Sequence, residues 1–234
     1  MRYASLTALL LLIASVGIRA QSSPAVFEFD PGLTVAVDLN KVVRLDFATG
    51  IENTEELGSA KWKVSGGASF RLNPLRKTFL DLLDTDKQHK YVLGVAYEFG
   101  RTLEGESTIR EHKIMADGTF RYTMPARVLL TDRSRFEFRW VDHDFHWRYR
   151  NRLFFERPLK IEKFKFSPFG GAEAVWDRRY TSWNIFKFTG GVQFRLIRRS
   201  SLDVFYERQR CVTCTNTNTN IFGLTLNIYP RKRR

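Results

Sequence analysis

The sequence predicts an all-β chain folded as an antiparallel up-and-down transmembrane β-barrel, of twelve strands with ten as the fallback. Three observations lead there. Apolar and polar residues alternate with period two along eleven runs between residues 33 and 228, the pattern of strands with one apolar and one polar face. The polar parity is charged, with both signs on nearly every run, which is too ionic for a dry core; the other parity is aromatic and aliphatic, too large to leave in water. Past the N-terminus no apolar stretch reaches the roughly 20 residues of a membrane helix, so any crossing is made with strands in a closed barrel.

The pattern is sharpest from Ser134 to Arg157. Phe136, Phe138 and Trp140 share one parity, and Arg135, Glu137 and Arg139 the other. After the short VDHDF turn, Phe145, Trp147, Tyr149, Leu153 and Phe155 oppose His146, Arg148, Arg150, Arg152 and Glu156. Two long strands in a hairpin, with lipid on one side and a polar lumen on the other, satisfy both faces.

The first twenty residues read as a cleavable signal peptide: a basic start at Arg2, an apolar core from Leu6 to Val16, and a small residue, Ala20, at the cut. The barrel domain is then 21–234. Cleavage removes Arg2 and Arg19 and no acid, so the formal charge falls from +13 to +11. In an exported chain whose charges alternate with aromatics, that surplus suits anionic lipid head groups and not nucleic acid. The expected partners are outer-membrane lipids and the barrel-assembly machinery.

The elements follow in order. Ala25 to Asp30 is a weak strand closed by Pro31-Gly32. Clear strands come next over Leu33 to Leu39 and Val43 to Ile51, turning at Asn40-Lys41, and over Lys61 to Leu72 after the ENTEELGS loop. Asn73 to Lys90 breaks the alternation; PLRKTFLDLLD has near-helical spacing and predicts a short amphipathic helix or a loop at one barrel end. Tyr91 to Phe99 and residues 108 to 123 restore the alternation, and Met124-Pro125 turns into the central hairpin. The remaining strands are expected over Phe164 to Trp176, Phe186 to Leu196, Leu202 to Gln209 and Phe222 to Ile228, with RKRR as a basic tail. A soluble barrel or sandwich alternates too, with its charged face outside, and alternation alone does not tell the two apart; strand number argues against a lipocalin-like barrel, which needs only eight.

The expected lumen carries Arg135, Glu137, Arg139, Arg148, Arg150, Arg152 and Glu156. Opposite charges on neighbouring strands can pair and fill a narrow barrel, which gives a structural or plugged barrel with a polar interior. An arginine-lined constriction that binds or passes anions is the alternative. A second alternative is a hydrolase with a rim site built from Asp142, His143, Asp144 and His146, although no serine motif or third ligand accompanies them. Cys211 and Cys214 suit a small disulfide loop in an oxidising periplasm, or two idle thiols. No catalytic residue, cofactor or metal site is assigned.

The strand set resembles an uncharacterised family of bacterial outer-membrane barrels, domain of unknown function 2490. The matching pieces are RSRFEFRW, WRYRNRLFFERPL, SPFGGAEAVWD, FTGGVQFRL and LDVFYERQ. The resemblance covers most of residues 33 to 229 and implies an outer-membrane location without a substrate. One departure concerns the C-terminus, where Tyr229 is followed by PRKRR, whereas such barrels commonly end on an aromatic read by the assembly machinery.

Overall fold

A computed structural model describes residues 26–53, 60–75, 84–102, 108–162, 164–196, 199–214 and 217–230. The expected signal peptide, the basic tail and most of the PLRKTFLDLLD segment lie outside the described residues. Twelve strands form: β1 (Val26–Asp38), β2 (Val43–Asn53), β3 (Ala60–Pro74), β4 (His89–Thr102), β5 (Arg110–Met124), β6 (Val128–Val141), β7 (Asp144–Glu156), β8 (Leu159–Ile161), β9 (Phe164–Asp177), β10 (Ser182–Arg195), β11 (Ser200–Cys211) and β12 (Asn218–Ile228). Consecutive strands pair antiparallel except β7 and β8, which both pair with β9, and β1 pairs with β12, so the sheet closes on itself. The wall strands run 11 to 15 residues, long enough when tilted to cross the roughly 30 Å of a bilayer core.

Eleven of the twelve strands make the wall. The eleven legible runs are those eleven strands, because Ala25 to Asp30 does not stand apart: β1 passes straight through Pro31 and Gly32, which pair with Leu224 and Thr225. The twelfth strand, β8, continues the line of β7 along β9 beyond a break at Pro158, which has no N–H to donate. An odd wall brings its first and last strands together in the same direction. The β1–β12 seam is accordingly parallel, with Val26 opposite Thr219 and Val35 opposite Ile228, and it is the one departure from an antiparallel barrel.

Charged side chains occupy the inner face and aromatic ones the outer. Glu137 is 1% exposed while its neighbours Phe136 and Phe138 are 46% and 39% exposed; Phe188 reaches 63%. All five tryptophans sit on the outer face within four residues of a strand end: Trp62, Trp140, Trp147, Trp176 and Trp183. These strand ends lie at one end of the barrel, hereafter the tryptophan end. The rings of Trp147 and Trp176 are 4.7 Å apart and those of Trp140 and Phe145 5.1 Å. A bulge at Asn184 resets the alternation of β10, so Trp183 faces out and the fully buried Ile185 faces in.

A polar island interrupts the outer face on β6 and β7. Asn151 Nδ2 donates to Asp132 Oδ1 at 2.8 Å and to Ser134 Oγ at 3.3 Å, and Ser134 and Tyr149 hydroxyls lie 3.0 Å apart. These groups largely satisfy one another.

Candidate functional site

The interior holds the chemistry. Its tryptophan-end half contains a cavity of about 300 Å³ and the opposite half one of about 450 Å³, and Lys63, Glu98, Arg133 and Arg135 line both. Alternation carries every second side chain of each strand inward, and the register then decides which charges meet. Lys61 bridges Glu52 and Glu111 at 2.8 Å each, Arg139 also reaches Glu111, and Lys113 holds Glu98 at 2.7 Å. Around the middle, Arg135 grips both oxygens of Asp117 at 2.6 and 2.9 Å, while Arg150 and Arg152 converge on Glu173. Ionic groups taken from water need such partners, since an unpaired charge in this setting costs several kcal/mol, on the order of 3 to 5 when one partner is removed.

The seven lumen residues named from sequence all lie on this inner face, and the structure brings six of them into shared ion-pair networks. Glu137 accepts from Arg150 at 2.9 Å and lies 3.9 Å from Arg135. Arg139 joins the Glu111 group; Arg148 goes instead to Asp177, where Arg179 also binds at 2.8 Å. Glu156 stands apart near the opposite end and pairs with Lys87.

That opposite end is crossed by the described part of the predicted helix region, which is one 3-10 turn, Asp86–Gln88, preceded by Asp84 and Thr85. Arg44 pairs with Asp84 and, at 3.1 Å, with Asp86; Arg71 donates to Thr85 at 2.8 Å; Arg121 donates to the Asp86 carbonyl at 2.8 Å. Leu75 packs on the fully buried Leu129 beneath the turn. Burial alone would raise the Asp84 carboxyl, but the Arg44 guanidinium outweighs it and holds the group below its ordinary range. Asp86 is pushed the other way, by burial and by Asp84 beside it. Lys87, whose burial opposes its charge, is held protonated by Glu156. The turn is thus an ionic stopper anchored to β2, β3, β5 and β7.

At the tryptophan end a second closure forms. Cys211 and Cys214 are joined in a disulfide, Cα atoms 5.5 Å apart, and pack on the buried Val175 and Ile185. Thr213 donates through N and Oγ1 to Asn184 Oδ1 at 3.1 and 2.7 Å. The expected rim group is split. Asp142, in the left-handed region at φ 54°, accepts from the Arg110 amide at 3.1 Å at the hairpin tip, whereas His146 is buried inside opposite Arg139.

Three inward aromatic residues escaped the sequence reading, as did Arg133, which lines both cavities. Phe154, Phe169 and Phe205 occupy the polar parity and turn inward; Phe154 and Phe169 stack at 6.1 Å, and the Arg152 guanidinium lies 5.1 Å from the Phe154 ring. Their signal was glycine in strand interiors. A Cβ at Gly191 would come within 2.7 Å of both Phe169 and Phe205, and one at Gly223 would overlap the Phe205 ring.

The model of a family described as protein of unknown function (DUF2490) matches residues 51–220, well over half of the chain. The chain belongs to this family. The matched region runs from the end of β2 to the start of β12, so the DUF2490 segment contains the whole arginine-rich hairpin and all the central ion pairs. No curated protein and no solved structure matches.

Proposed function

We propose that this DUF2490 protein is an integral outer-membrane barrel that works as a closed, ion-paired wall element and not as an open channel. One observation carries the reading: the wall is inside out relative to a soluble barrel, with Glu137, Arg148 and Glu173 at 1 to 4% exposure inside and large aromatics exposed outside. Water cannot cover an apolar belt of that extent without association, and lipid can. The tryptophans at one rim fit the headgroup zone of a bilayer. Basic charge on the mature chain suits anionic lipid there.

Closure at both ends supports the plugged form. The Asp84 to Gln88 turn and the Cys211–Cys214 loop each pack into a mouth. A narrow anion-preferring pore is the second reading, favoured by the four residues through which the two cavities adjoin, three of them basic. Fractionation with heat-modifiability electrophoresis tests the main reading. The mature chain is expected in the outer-membrane fraction, migrating faster unboiled than boiled; recovery in the soluble periplasm contradicts it. Planar-bilayer recording then separates the two forms, since a plugged barrel gives no steady conductance.

A further inference from the structure

Where the two cavities adjoin, β6 and β7 present four guanidinium groups as a square. Arg133 stands directly opposite Arg152, and Arg135 opposite Arg150. Like charges in direct cross-strand register repel and need compensation. Three carboxylates provide it for three of the four. Asp117 gives both oxygens to Arg135, Glu137 accepts from Arg150, and Glu173 serves Arg150 with one oxygen and Arg152 with the other. Among the described residues Arg133 has neither an ion pair nor a side-chain hydrogen bond, and its side chain lines both cavities. Arginine cannot shed its proton to escape this position. Asp30, whose buried Oδ1 has no hydrogen-bond partner, is on β1, five strands from β6 around the ring and across the lumen from it, and forms no ion pair with Arg133.

We propose that Arg133 is the anchor of a binding site for one small oxyanion of the phosphate or carboxylate class. A guanidinium fork matches two oxygens of such an ion, which a spherical halide cannot do. Arg152, facing Arg133, adds charge without adding a free carboxylate. The inference rests on the reading of the chain as a barrel with an ion-paired interior. It also bears on the occupant's source: the Asp84 to Gln88 turn in one mouth and the Cys211–Cys214 loop in the other leave no room for a lipid with its acyl chains, so the occupant is a small solute ion.

The test uses the mature barrel folded in a zwitterionic detergent at low ionic strength, titrated with inorganic phosphate against sodium chloride at matched ionic strength. Calorimetry is expected to give one saturable phosphate site per chain, and phosphate in large excess to raise the apparent melting temperature by roughly 5 °C. Arg133→Gln is expected to fold, to lose that response, and to be no less stable than the parent without phosphate. Arg133→Lys, which keeps the charge but not the fork, is expected to bind more weakly. Arg150→Gln, which strips Glu137 and Glu173 of a partner, is expected to lower stability yet keep the phosphate response. A folded, heat-modifiable barrel with no saturable phosphate binding overturns the site and leaves the membrane reading standing. Equal effects of chloride and phosphate, or an undiminished response in Arg133→Gln, also overturn it. Saturable binding by a chain that fractionates as soluble supports the site while the membrane reading fails.

Discussion

Glu137 takes its hydrogen bond from Arg150 at 2.9 Å, not from Arg148, which is its register partner across β6 and β7. The diagonal choice leaves Arg148 for Asp177 on β9 and ties three strands together through one buried carboxylate on each side. Glu137→Ala therefore removes one of the carboxylates that hold Arg150, which keeps Glu173, and weakens the hold on Arg135. The expected loss is about 1.5 to 3 kcal/mol in urea unfolding of the folded barrel, the worth of a hydrogen bond between charged groups whose other partners remain. An unchanged midpoint would mean that water already screens these groups.

The ionic stopper makes an acid-dependent prediction. Asp84 is held below its ordinary range by Arg44, so its contribution is present above the unfolded carboxylate value and is lost as pH falls through the lower folded value. Asp86, pushed upward, has the opposite sign: what it contributes is present in acid and lost as pH rises through its raised value. Asp84→Asn is expected to destabilise at neutral pH and to flatten the acid limb of a stability profile measured between pH 7 and pH 3. A variant with the parental acid limb would show that the turn is not held by this pair.

The inward phenylalanines give a steric test. Gly223 lies under the Phe205 ring, and a methyl there overlaps it. Gly223→Ala is expected to cost about 1 to 3 kcal/mol through overpacking. Phe205→Leu in the same chain is expected to restore part of it, a coupling that a double-mutant cycle measures. Additive losses would place the ring elsewhere.

Much of this was legible beforehand, and the parts that were not have physical reasons. Parity alone separates Phe136 and Phe138 from Glu137 and Arg139, because a strand has only two faces, and eleven runs of that parity are the eleven wall strands. Partner choice was not legible. The distances that send Arg148 to Asp177 and Arg135 to Asp117 depend on which strands adjoin and how long side chains lean along them. Phe154, Phe169 and Phe205 were hidden because an apolar residue on a charged parity looks like noise until facing glycines are seen to make room. Alternation is also silent on strand direction, so the parallel β1–β12 seam was invisible until the strands were counted into a ring.

The membrane reading is tested most directly at Phe138, which is 39% exposed on the outer face beside the 1% exposed Glu137. An Arg at this position is expected to hinder insertion by roughly 2 to 4 kcal/mol if it lies near the bilayer midplane, but loss of stability also follows from damage to a soluble core. Accessibility decides between them. A single Cys placed as Phe138→Cys, in a chain with Cys211 and Cys214 replaced by serine, is expected in membranes to resist a water-soluble maleimide and to react with a lipid-soluble one. Ready labelling by the water-soluble reagent, or labelling by neither, would contradict a lipid-facing wall.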